Sequence, residues 1–273
     1  VPIIRYGEAL NVLVAAKGHP YLRDPFMAMF DELPGIACTL VEQPAASLLM
    51  TPDGLRDFDA LVLYDMPGLD FLAPNPPGFR LPDAALVAGL GAVLAAGKGV
   101  VALHHAIAGW PAWPEYGAWL GGRFHYKPSH DRSCSGYRHD VEYEATVLPP
   151  DHPVAHGLPR NFPMADELYL YEVFDDGKVP LLSAAHAFEP DNFYSAQEAV
   201  QGRMFSSAGW SHATGSALIG WVKRALRSPL VYLQPGDGPT TYQNAQYRRL
   251  LENAIRWVAS DAGLAWAREG DTT

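Results

Sequence analysis

Hydrophobic positions fall in short unbroken runs separated by polar or glycine-rich turns. Such runs are Asn11-Val12-Leu13-Val14-Ala15-Ala16, Ala37 to Val41, Ala60-Leu61-Val62-Leu63-Tyr64, Val100 to Leu103 and Leu230 to Leu233. Val100 to Leu103, apolar throughout, suits a central strand covered on both faces. Between these runs the spacing turns helical. Phe26 to Leu33 predicts a short helix, with Gly35 just past its end. Pro82 opens a second helix to about Ala96, with Leu86, Leu90, Val93 and Leu94 on one face. A third spans Asn244 to Ala259, where Tyr247, Leu250, Leu251, Ala254, Ile255 and Val258 repeat with helical periodicity. This alternation predicts the α/β class: a doubly wound, mostly parallel sheet of flavodoxin-like type. Residues 107–200 are rich in Trp, Tyr, Pro and His. They predict strands at Val141 to Val147 and Leu181 to Ala184. We read this region as an irregular insertion over the carboxyl edge of the strands, within one domain over 1–273. The tail after Ala267 is polar and expected to fray.

In open α/β sheets ligands bind beyond the carboxyl ends of the strands. The strand Val100 to Leu103, entered through Gly97 and Gly99, stops at His104 and His105. Other predicted strands stop at turns holding His19, Asp65 and Asp237. Further polar groups stand at Asp166-Glu167 and at Gly121-Gly122-Arg123-Phe124-His125-Tyr126. His104 and His105 are the candidate acid/base pair, because imidazole titrates near neutral pH without large tuning. Asp166 and Glu167 are their candidate carboxylate partners. The alternative for those two is a carboxylate pair at a helix N-terminus. His19, Asp65, His125, Tyr126 and Asp237 are candidate substrate contacts, although His19, Asp65 and Asp237 also suit turn formation. Trp110, Trp113, Tyr116, Tyr169 and Tyr171 offer apolar walls. Aromatic faces among carboxylates and imidazoles suit a sugar, whose CH faces stack while its hydroxyls hydrogen-bond. Adjacent histidines on a regular strand point to opposite faces and make poor joint metal ligands. A sharp bend weakens that objection. A divalent metal therefore stays open, with His19, His125 or Glu167 as further ligands. No other cofactor is expected.

Composition narrows the partners. The 273 residues are 48% hydrophobic and 18% charged, which marks a globular chain able to bury a sizeable core. A formal net charge of −10 argues against nucleic acid and anionic membranes. It leaves neutral small molecules such as carbohydrates open. Cys38 and Cys134 lack CxxC spacing, so a zinc knuckle or redox motif is not expected. No apolar run reaches membrane-spanning length, and no signal-peptide h-region is visible. We expect a cytoplasmic protein, while the start at Val1 leaves room for a trimmed leader. No GxSxG elbow, GxxxxGK[ST] loop, HExxH or GxGxxG after the first strand occurs.

Taken in order, several segments resemble the ThuA-like (trehalose utilisation) family, whose fold is that of class I glutamine amidotransferases. They are Val100-Val101-Ala102-Leu103-His104-His105-Ala106, Trp113-Pro114-Glu115-Tyr116 leading to Gly121-Gly122-Arg123-Phe124, Asp151-His152-Pro153-Val154, Asp166-Glu167-Leu168-Tyr169, and Pro235-Gly236-Asp237-Gly238-Pro239 with Tyr242 and the helix to Trp257. The amidotransferases carry a nucleophilic Cys at the bend where this chain has His, so Cys-dependent amidotransfer is not expected. Family members often have Gly-His after the last strand and His-Pro after the Gly-Gly segment. Here these are Gly236-Asp237 and Lys127-Pro128. The resemblance implies carbohydrate catabolism. We expect an enzyme acting on trehalose or a related 3-keto disaccharide by His-based acid/base chemistry, as isomerase, lyase or hydrolase. The alternatives are a non-catalytic carbohydrate-binding or regulatory protein, and a metal-dependent hydrolase. Family habit suggests a homo-oligomer.

Overall fold

The computed structural model describes residues 8–269. The ends, including the last residues of the polar tail, lie outside the described residues. Ten strands form one sheet. In chain order they are β1 (Leu10–Lys17), β2 (Ile36–Glu42), β3 (Ala60–Asp65), β4 (Gly99–Leu103), β5 (Gly136–Val147), β6 (Asn161–Leu170), β7 (Val179–Ala184), β8 (Tyr194–Ser195), β9 (Leu218–Ala225) and β10 (Ser228–Leu233). The order β2-β1-β3-β4-β10 is parallel throughout and is the doubly wound, flavodoxin-like half. From β10 the sheet continues antiparallel through β9 and β7 to β5. β5 pairs along most of its length with β6, and the short β8 joins its first residues.

The parallel half follows from its residues. On β1, β3, β4 and β10 nearly every position is buried, and neighbours alternate between two cores. Val12, Val14, Val62, Val101, Leu103, Val231 and Leu233 face one side. There they meet Phe26, Met29 and Phe30 of α1 (Arg23–Asp31) and the apolar stripe of a long C-terminal helix, Ala245–Val258. Leu13, Ala15, Leu61, Leu63, Val100, Ala102, Leu230 and Tyr232 face the other side. There they meet Leu86, Leu90, Val93 and Leu94 of α2 (Ala84–Ala95). Asp83 caps α2 by accepting from the Leu86 amide, so Pro82 precedes the helix and does not lie in its first turn. Asn244 caps the C-terminal helix by accepting from the amides of Gln246 and Tyr247.

The segment 107–200 is less an irregular insertion than expected: it supplies β5 to β8, which extend the same sheet, and β6 carries Asp166, Glu167 and Tyr169. The β5–β6 hairpin is its backbone. Asp166 and Glu167 sit on β6, which removes the helix N-terminus alternative. Asp261–Arg268 forms a further helix that buries Ala267, and most of the polar tail expected after Ala267 lies outside the described residues. Cys38 is half-buried on β2, and burial pushes its thiol up to about 12. Cys134 is buried against the Ser195 hydroxyl. Among the described residues no helix is long and apolar enough to cross a membrane.

Gly99 is the first residue of β4, and it is there for space as much as for the turn before it. A Cβ on it would lie 2.2 Å from the Val258 carbonyl oxygen, so the strand and the C-terminal helix touch backbone to backbone. Gly91, inside α2, meets nothing within 4 Å of the corresponding position. Gly99→Ala is expected to cost about 1–3 kcal/mol or more through overpacking. Gly91→Ala is expected to gain about 0.5–1 kcal/mol from helix propensity. Urea melts of the two variants check the contrast, and equal midpoints would refute it.

Candidate active site at the carboxyl edge of the sheet

β4 lies between β3 and β10, so its end is flanked by theirs. At Leu103 the chain leaves the strand, and His104 takes a left-handed φ of 46°. Such a value is uncommon for a residue with a Cβ. The bend puts His104 and His105 in different surroundings, both fully buried. His104 Nδ1–H donates to the Gln234 carbonyl at 2.7 Å, just past β10. A carbonyl only accepts, so the proton sits on Nδ1 and Nε2 faces away from β10. Nε2 lies 2.8 Å from the Tyr169 hydroxyl, 3.1 Å from Glu167 Oε2 and 3.5 Å from Asp237 Oδ1. The Tyr169 ring also stacks on the imidazole at 4.8 Å. His105 Nε2–H donates to the Tyr64 carbonyl at 3.0 Å, and its Nδ1 has no hydrogen-bond partner. His19 stacks on the His105 ring at 4.5 Å and meets His104 edge-on at 6.1 Å.

The turn after β10 is held from several sides. Asp166 accepts from the amides of Gly236 at 2.6 Å and Asp237 at 3.1 Å. Tyr64 donates to the Gly236 carbonyl and Tyr242 to that of Asp237. Gly236 has a φ of 142°, and a Cβ there would press within 3.3 Å of His104 Cβ and 2.9 Å of the Tyr247 hydroxyl. Only glycine lets this turn approach the histidine so closely. Asp166 is therefore a positioning residue spent on backbone amides. Its neighbour Glu167 points to the cleft, and the Gln234 side-chain amide donates to the Glu167 carbonyl at 2.6 Å.

A bulge adds a residue that the sequence pattern does not announce. Arg138 pairs with Leu168 and Val141 with Asp166, so His139 and Asp140 together oppose Glu167. His139 Nδ1 comes within 3.4 Å of Glu167 Oε1. The side chains of His139 and Asp237 are 32% and 30% exposed, which marks the open side of an otherwise buried cluster.

Burial by itself would lower the pKa of His104, but the hydrogen bonds and charges of Asp237 and Glu167 outweigh it and raise it well above the usual value. For Asp237 burial acts upward, and the His104 hydrogen bond and charge pull it down to about 2. Burial raises Asp166 to about 6, against the His104 charge and the Gly236 amide. His105 is lowered well below the usual value by burial and by the charges of His19 and His104. His19 is lowered by burial and by His104.

The other candidates lie elsewhere. Trp113 is 4% exposed and packs on Tyr116 and Trp119, so its faces are not free for a sugar. Trp110 is half-buried against Gly68 and Trp113. The exposed aromatic beside the cluster is instead Phe205, whose ring meets His139 at 6.1 Å and is 59% exposed. Tyr126 is buried, its hydroxyl donating to Met66 Sδ at 3.0 Å. His125 pairs with Glu172 at 2.7 Å in a separate cluster with Arg132. Lys127 donates to the Asn75 carbonyl on the surface. Asp65 is 1% exposed, with one oxygen accepting from the Gln43 amide at 2.6 Å and the other unpartnered.

The sequence matches the family model described as "ThuA: Trehalose utilisation" over residues 12–258. This chain belongs to the ThuA family. A Bacteroides uniformis protein described as ThuA-like shares its fold, with a TM-score of 0.62 at 21% identity, covering 94% of this chain and 95% of the other. One from Parabacteroides merdae gives a TM-score of 0.61 at 15% identity, covering 92% and 90%. PurLQS of Thermotoga maritima gives a TM-score of 0.50 at 11% identity, covering 90% and 98%. No curated protein matches the sequence significantly. In this ThuA-family chain the strand-to-helix bend carries His104, and Asp237 after the last parallel strand pairs with it.

Burial raises Asp65 to about 6, against the Gln43 hydrogen bond. An acid raised in the folded state costs nothing below its unfolded pKa of 3.8; stability is lost as pH rises from there, and the loss is complete above the folded value of about 6. Two pKa units correspond to about 3 kcal/mol. Asp65→Asn is thus expected to match the parent near pH 4 and to exceed it in stability above pH 7, by up to about 3 kcal/mol. Denaturant melts across that range check this. A stability difference that does not change with pH would refute it.

Proposed function

We propose that this chain is an enzyme acting on trehalose or a related 3-keto disaccharide by proton transfer at His104. The observation that carries this reading is the convergence on one ring nitrogen. Nε2 of a buried, backbone-pinned imidazole is met by the Tyr169 hydroxyl, Glu167 and Asp237 within 3.5 Å. Held as the imidazolium by its two carboxylate neighbours, His104 acts first as the acid, giving its Nε2 proton to a carbonyl, hydroxyl or leaving oxygen, and then takes a proton back as the base. The two carboxylates stabilise the imidazolium while it holds that proton. Tyr169 offers a hydroxyl to an oxygen on which charge develops. Beside a keto group this serves isomerisation or elimination, and with a water it serves hydrolysis. His105 supports the site by stacking under His19. A purely carbohydrate-binding role loses support, because Trp113, one of the two aromatics it would lean on, lies in the core.

An NMR time course with 3-keto-trehalose, beside trehalose and an enzyme-free control, tests the reading. New sugar signals are expected. His104→Ala should slow them by about 10²–10⁴-fold, the range for losing a general acid or base. Glu167→Gln should also slow them, with circular dichroism confirming that both variants are folded. Unchanged spectra with both sugars, or full turnover by folded His104→Ala, would overturn the assignment.

A further inference from the structure

We propose that His19, Glu167 and Asp237 bind one divalent transition-metal ion at the mouth of the same cleft. Their ligand atoms, one from each residue, all lie within 4.8 Å of one another. Ligands about 2.0–2.2 Å from a shared ion stand at most about 4.4 Å apart, so binding asks the three side chains to close by no more than a few tenths of an ångström. Among the described residues no other group of three His, Cys, Asp or Glu side chains comes so close. The three come from distant parts of the chain: the loop after β1, strand β6 and the turn after β10.

A second observation concerns the imidazoles. His19 Nδ1 lies 2.9 Å from the Pro20 carbonyl, so it carries the proton and Nε2 keeps its lone pair. Metal-bound histidines characteristically use the other ring nitrogen in this way, which fixes tautomer and ring orientation. His104 is pinned likewise through Gln234, and its Nε2 lies against both carboxylates. It would orient the carboxylates from the closed side as their hydrogen-bond partner. The side chains that pair with Glu167 and Asp237 are histidines, which yield to a divalent cation. The His125–Glu172 pair differs, because Arg132 already lies 3.5 Å from Glu172.

The donor set of one imidazole and two carboxylates selects ions such as Zn²⁺, Co²⁺ or Mn²⁺ over Mg²⁺ and Ca²⁺, which prefer all-oxygen sites. With three protein ligands, coordination positions remain for water or for a ligand oxygen. On the carbohydrate reading that oxygen would be a sugar carbonyl or hydroxyl beside His104; ion binding itself does not depend on that reading.

The test uses the untagged protein, dialysed against a chelator and titrated with Co²⁺ alone, followed by its visible ligand-field bands. The same preparation is then melted with Zn²⁺, Mg²⁺ or Ca²⁺. One equivalent of Co²⁺ should bind with bands of a nitrogen–oxygen site, and Zn²⁺ but not Mg²⁺ or Ca²⁺ should raise the melting temperature. His19→Ala and Asp237→Asn should each weaken Co²⁺ binding at least about tenfold, while His125→Ala keeps it. Absence of Co²⁺ bands in the parent protein would overturn the proposal. So would bands that persist at full affinity in either folded cleft variant. Because no sugar is present, the outcome is separate from that of the NMR experiment.

Discussion

A 2.7 Å hydrogen bond from His104 Nδ1–H to the Gln234 carbonyl decides which ring nitrogen faces the cleft. It joins the ends of two adjacent parallel strands through a side chain. The Tyr232 hydroxyl donates to the His104 carbonyl at 3.0 Å from the same neighbouring strand. His104 is thus tied at its ring and at its backbone, in a left-handed conformation that a free chain seldom adopts. Glu167, Tyr169 and Asp237 are useful because the atom they converge on does not move.

The residue that follows Gly236 is chemically consequential. Asp237 follows Gly236 directly, and it forms an ion pair with His104. A second carboxylate beside Glu167 gives the cleft a more anionic character than an imidazole there would. Lys127 has no comparable effect, because it points to the Asn75 carbonyl on the surface.

The parallel half of the fold was legible because strands buried on both faces need unbroken apolar runs, and few other structures do. β6 and β9 were hidden for the converse reason. Pro163, Asp166 and Glu167 interrupt one; Gly220, Lys223 and Arg224 interrupt the other. The strand-end rule led to His19, His104 and Asp237, since each follows directly from a strand. His139 stayed invisible, because it reaches Glu167 through a bulge that exists only once β5 and β6 are paired. Asp65 and Trp113 show the limit of counting polar and aromatic residues. Both occur where a site residue would, and both are consumed by the interior.

The cleft has two owners. His19, His104 and Asp237 belong to the parallel half, whereas Glu167, Tyr169 and His139 arrive on the antiparallel extension. Pairings between residues this far apart in sequence close late in folding, after the local strand–helix units. Partial opening of the hairpin would strip the cleft of its buried carboxylate while leaving the flavodoxin-like core intact. The cluster around His104 is accordingly a property of the seam between the two halves of one sheet, and it can be lost while the parallel half stays folded.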